Sequence, residues 1–133
     1  MRSATIIATM VIAVSSPSLA ASDEEINGLS DKMSGAVRCS AYAQLMHDQK
    51  EQQRLFQIGL KAGRDYVEGL KSRDDLTSEM LTFIRGVSTD FVVGQLYESE
   101  STHAYDEIAK LDASEVKTQA ERSYRTSNCS LIQ

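Results

Sequence analysis

After Pro17 the chain runs to Gln133 without another proline. Proline removes a backbone donor and collides with the preceding turn of a helix, so its absence leaves every later segment free to be helical. Apolar spacing then decides which segments use that freedom. From Asp23 onward Ile26, Leu29, Met33, Val37 and Ala41 recur at three and four residues, the period of a helical stripe. Asp23, Glu24 and Glu25 occupy its first turn, where carboxylates suit the positive end of the helix dipole. A second stripe follows in Phe56, Leu60, Gly63, Val67 and Leu70, widened by Leu55, Gly59, Ala62 and Tyr66. A face that broad needs more than one neighbour.

The segment KSRDD predicts a polar turn, with Asp74 or Asp75 capping a third helix whose stripe is Leu76, Met80, Phe83, Ile84 and Val87. Between Gly86 and Asp90 the helix breaks or bends, and Ser88 or Thr89 opens the next one. Phe91, Val92 and Val93 suit a short strand, but no second run exists to pair with it, and a lone strand is not stable. The expectation is therefore helix from Asp90 through Leu96 and Tyr97 to Tyr105, Ile108 and Leu111, weakest at SEST. Asp112 and Glu115 read as a variant capping box. They open a last helix that faces inward through Val116, Ala120, Ser123 and Tyr124. Short connections favour antiparallel neighbours, so the expected fold is all-α: a compact antiparallel bundle of four to five helices.

The opening MRSATIIATMVIAVSSPSLA combines a basic start at Arg2, an apolar run from Ala4 to Val14, and small residues at Ser18 and Ala20. These are the three parts of a secretory signal. The reading is a signal peptide over residues 1–20 and a single helical domain over 21–133. The apolar run falls short of the about 20 residues that span a bilayer, and no integral membrane segment is expected after cleavage. The expected location is the periplasm or the extracellular space, where disulfides persist. Cys39 and Cys129 are the only cysteines, so one bridge joining the first and last helices is the default, free or metal-bound thiols being the alternative. No CxxC spacing supports a redox role.

Loss of Arg2 with the leader takes the formal charge from −5 to −6. An acidic balance without clustered Lys and Arg supplies no footprint for nucleic acid. Catalytic patterns are thin. Serines occur without a G-x-S-x-G turn, and no glycine loop is placed to cradle phosphate. Glu100, His103 and Glu107 share one helical face, but the second Glu-x-x-His of a di-iron site is missing, because Gln44 stands before His47. His47 with Asp48 and Glu51 gives too few ligands for a metal site, and methionines at stripe positions, Met33 and Met80 among them, read as core filler rather than copper ligands. No cofactor is expected.

Gly59 and Gly63, four apart on the second helix, predict close approach of another helix, since each glycine costs a helix about 1 kcal/mol relative to alanine. The candidate interaction surface is the acidic, tyrosine-bearing stretch with Tyr97, Glu98, Glu100, His103, Tyr105 and Glu107. The functional expectation is an exported non-enzymatic accessory protein that binds an unidentified protein or envelope component. The competing expectation is a carrier that holds a small molecule or metal in the bundle core, with Gly59, Gly63 and Gly94 making room.

Overall fold

The computed structural model describes residues 20–133; the expected leader, apart from Ala20, lies outside them. The described residues form five helices, α1 (Asp23–Leu45), α2 (Gln49–Lys71), α3 (Ser78–Gly86), α4 (Thr89–Ile108) and α5 (Ala113–Thr126), and a 3₁₀ turn over Cys129–Leu131. At the start of α1 the Ser22 hydroxyl accepts from the Glu25 N–H at 3.2 Å, and the Glu25 carboxylate accepts from the Ser22 N–H at 2.9 Å. This reciprocal box satisfies two of the donors that a helix start leaves open. After α1 the chain reverses within three residues. His47 takes a left-handed φ of 63°, and Asp48 caps α2 by accepting from the Glu51 N–H at 3.0 Å.

So tight a reversal lays α2 antiparallel along α1. Gly59 lies against Ala36 and Val37, Gly63 against Met33, and Gly69 against Ile26, one number climbing as the other falls. The contact is close: a Cβ on Gly59 would sit 3.1 Å from Val37 Cγ2, and one on Gly63 3.1 Å from both Met33 Sδ and Val93 Cγ1. Small residues on α1, Ala36, Ser40 and Ala43, are buried in the same region, and the Ser40 hydroxyl donates to the Gln52 carbonyl at 3.2 Å.

The third long helix, α4, runs antiparallel to α2. Arg64 pairs with Asp90 at 2.7 Å, Gly63 faces Val93, and Phe56 meets Tyr97 edge-on with ring centroids 5.3 Å apart. Two antiparallel steps leave α4 parallel to α1, where Arg38 reaches Glu100 and Tyr42 reaches Glu107, each at 2.9 Å. The α5 helix closes the far end. There Cys39, Tyr42, Leu55, Ala104, Ile108, Ala120 and Cys129 form the main core, while Met33, Val37 and Ala62 form a smaller one with Leu96 and Tyr97 against it.

Cys39 and Cys129 are joined, with Cα atoms 5.5 Å apart and 90 residues between them in sequence. Cys129 lies just beyond α5, after Asn128 turns the chain through a left-handed φ of 52°. Arg54 of α2 fastens the same end by donating to the carbonyls of Ile132 at 2.6 Å and Cys129 at 3.3 Å.

Three local expectations change. Thr77 caps α3 in place of Asp74 or Asp75, accepting from the Met80 N–H at 3.3 Å. Both aspartates are engaged elsewhere, Asp74 by Arg85 and Asp75 by Arg73. Asp112 stands at the cap of α5, but its side chain makes no capping bond; its backbone carbonyl accepts from Glu115 at 2.8 Å instead. On α3 only Ile84 is buried, so Met80 and Phe83 leave the expected inward stripe and face solvent. The break between α3 and α4 is real, at extended Val87 with Ser88 capping α4, and the SEST segment continues as helix.

Candidate functional site

The residues expected to form an outward surface on α4 are mostly turned toward the bundle. Glu100 pairs with Arg38, Tyr105 donates to the Gln44 side chain, Glu107 accepts from Tyr42, and Tyr97 packs on Phe56. Only Glu98 and His103 point outward without a partner on another helix, His103 Nδ1 lying 2.7 Å from the Ser99 carbonyl one turn back. The six residues therefore bind α4 to α1 and α2 more than they present a face. The stretch brings Tyr42 with it, whose phenol burial and the Glu107 carboxylate push up to about 12.

A second polar cluster lies at the α2–α5 contact. Glu51 accepts from Arg54 Nε at 2.7 Å and Nη2 at 2.6 Å, and from the Tyr124 hydroxyl. The Arg54 guanidinium holds the Glu51 carboxyl below its usual range, while burial first and then Glu51 push Tyr124 up to about 12. The guanidinium of this cluster is spent on the chain's own carbonyls at 129 and 132. The arrangement is that of a fastening.

What remains open is the end of the bundle where α3 leaves α2 and α4 begins. Among the described residues Met80, Phe83, Phe91 and Leu131 are the exposed large apolar side chains, and the first three, 48%, 59% and 56% exposed, lie between residues 80 and 91. Burying such a side chain from full exposure is worth about 1.5 to 3 kcal/mol, and these three, each about half exposed, retain roughly half of that as unused binding capacity. The exposure follows from how α3 is held. It rests chiefly on α2 and the turn that follows, with Ile84 buried and Arg85 donating to the carbonyls of Lys71 and Arg73 at 3.1 and 3.0 Å. One buried side chain and one arginine fix a nine-residue helix and leave its other side bare.

Charge at this end is layered. Asp23, Asp74, Asp75 and Asp90 have side chains 64% to 92% exposed, whereas the arginines that pair with them, Arg64, Arg73 and Arg85, are 14% to 49% exposed. Arg73 is drawn in, Arg64 and Arg85 are about half exposed, and the carboxylates project furthest. The pairing holds Asp75 and Asp90 below the usual carboxylate range, through Arg73 and Arg64 respectively, so both stay ionised near neutrality. Glu79, exposed in the first turn of α3, adds a further negative charge.

Sequence spacing assigned Phe83 and Met80 to the inside because both fit a three-and-four stripe. The discriminating signal was the length of α3, too short to bury more than one row. The space beside Gly59 and Gly63 is filled by Val37, Met33 and Val93, and Gly94 opens outward with nothing within 4 Å. Among the described residues no three His, Cys, Asp or Glu side chains gather as a metal-holding group, and no helix is long and apolar enough to cross a membrane. Compared with protein-family models, curated proteins and solved structures, the chain matches none of them.

Proposed function

We propose that this is an exported, non-enzymatic helical protein of the periplasm or extracellular space that acts by binding another protein or envelope component. The observation that carries the reading is the set of exposed apolar side chains Met80 and Phe83 on α3, the most thinly attached helix, and Phe91 in the first turn of α4. Helical faces with apolar anchors are a common way to bind a partner. The leader-like first 20 residues and the joined cysteines support export. The mass of the secreted chain reads the cleavage point, expected after Ala20.

A photo-crosslinking side chain placed at position 83 or 91 in the producing cells tests the binding reading directly. A defined adduct from these positions, and none from exposed Lys117 on α5, is the expected outcome. Equal labelling at all three positions, or none at any, removes the support for binding through this face.

A further inference from the structure

The apolar stretch of α3 and α4 rests on the docking reading above, and its surroundings narrow what can cover it. Three classes of occupant compete: a second copy of this chain, a lipid surface and a different protein. A second copy would bring the same outward carboxylates, Asp74, Asp75, Glu79 and Asp90, against themselves across the contact. Like charges brought together while apolar groups exclude water cost several kcal/mol, which opposes an isologous pair here. An anionic lipid surface is disfavoured for the same reason, since membrane-surface helices carry Lys and Arg beside their apolar face. On this end of the bundle the arginines are less exposed than the carboxylates, Arg73 drawn in and Arg64 and Arg85 about half exposed, and all three already have carboxylate partners.

We propose that the end of the bundle formed by α3 and the start of α4 is a docking site for a basic amphipathic segment of another protein, a helix with apolar anchors flanked by Lys or Arg. Its apolar side chains cover Met80, Phe83 and Phe91. Its cations meet exposed Glu79 and the aspartates, which project further into solvent than the arginines that pair with them. The charge layer steers the encounter and selects the partner, and the two phenylalanines supply the anchoring contact. The thin attachment of α3 lets it adjust to the partner's ridge.

The probe is an amphipathic helical peptide of leucine and lysine, with a matched peptide of leucine and glutamate, each titrated into the isotope-labelled, disulfide-bonded protein. The expected result is amide shifts centred on residues 78–91 with the lysine peptide alone, weakening as salt rises. Phe83→Ser with Phe91→Ser should weaken binding on the order of tenfold or more, and Glu79→Lys should weaken it less. These side chains are already exposed, so circular dichroism should report an unchanged fold.

Binding of both peptides at residues 78–91 with equal strength overturns the assignment of a basic partner while leaving the docking reading intact. Shifts centred elsewhere, or binding indifferent to the double phenylalanine variant, overturn both. Sedimentation that shows a dimer abolished by Phe83→Ser makes the occupant a second copy, and flotation with phosphatidylglycerol vesicles makes it a lipid surface; either result overturns the proposal.

Discussion

Two tyrosines carry the clearest chemistry of single residues. Tyr42 and Tyr124 are pushed up to about 12 by burial and by the carboxylates to which they donate. Both folded values lie above the ordinary phenol value of about 10, so the stabilisation is whole below that pH and is lost as pH climbs from about 10 through 12. Absorbance titration should show these two ionising late, and Tyr42→Phe should flatten the alkaline decline of the melting temperature while costing about 1 to 2 kcal/mol at neutral pH for the lost bond to Glu107. Glu51 behaves in the opposite sense. Arg54 lowers its carboxyl, so its contribution is full above the ordinary value of 4.5 and is lost as pH falls through the lowered one. The tyrosine partners are not visible from sequence, because Tyr42 and Glu107 are 65 residues apart and Tyr124 and Glu51 are 73 apart, whereas Glu51 and Arg54 stand three apart on one helix. The same blindness applies to α4: tyrosines and carboxylates near Tyr97 to Glu107 look like a wet face until α1 lies beside them. Local chemistry was more legible. Ser22 and Glu25 form the standard S-x-x-E box, a second role for Glu25 beside its place at the positive end of the helix dipole.

Whole helices were readable from the three-and-four period wherever they were long enough to show it. The inward rows of α1 and α2 match the buried residues Ile26, Met33, Val37, Leu55, Ala62 and Val67. On α3 the period gave a direction with too few residues to settle it, and the true inward residue is Ile84. Glycine positions separate two situations on the long helices. Gly94 is exposed, helical and free of neighbours, so Gly94→Ala should raise stability by about 0.5 to 1 kcal/mol, read by denaturant melts. At Gly63 Met33 and Val93 approach from both sides, so Gly63→Leu should cost about 3 kcal/mol or more as α1, α2 and α4 are forced apart. Among the helices α3 should lose amide protons to hydrogen exchange first, because a nine-residue helix is marginal alone and this one has a single buried side chain. Protection of α3 equal to that of α1 would contradict its thin attachment.

On the scale of the whole molecule the linkage between Cys39 and Cys129 constrains the unfolded chain over 90 residues. The chain-entropy treatment assigns such a loop about 4 to 5 kcal/mol, an upper value. Cys39→Ala with Cys129→Ala should therefore lower unfolding stability by up to about 4 kcal/mol, a large share of the about 5 to 15 kcal/mol typical of a domain. An unchanged denaturation midpoint would show that Arg54 and the α5 core suffice to hold the end. Architecture was legible at this scale because two cysteines allow one pairing and short turns allow few topologies. The relation of α1 to α4 was not, since parallel neighbours arise from two successive reversals and leave no mark in either helix.

Both cysteines are shut off from solvent, Cys39 at 1% and Cys129 at 0% exposure. A small thiol reagent thus has no route to either sulfur while the carboxyl-terminal end is seated, and cleavage must wait for that end to swing away. Reduction of the native protein should consequently reach a ceiling rate as reagent concentration rises, the ceiling being the frequency with which the tail lifts. Weakening the guanidinium clamp by Arg54→Ala should raise that ceiling, which stopped-flow trapping of the released thiols would measure.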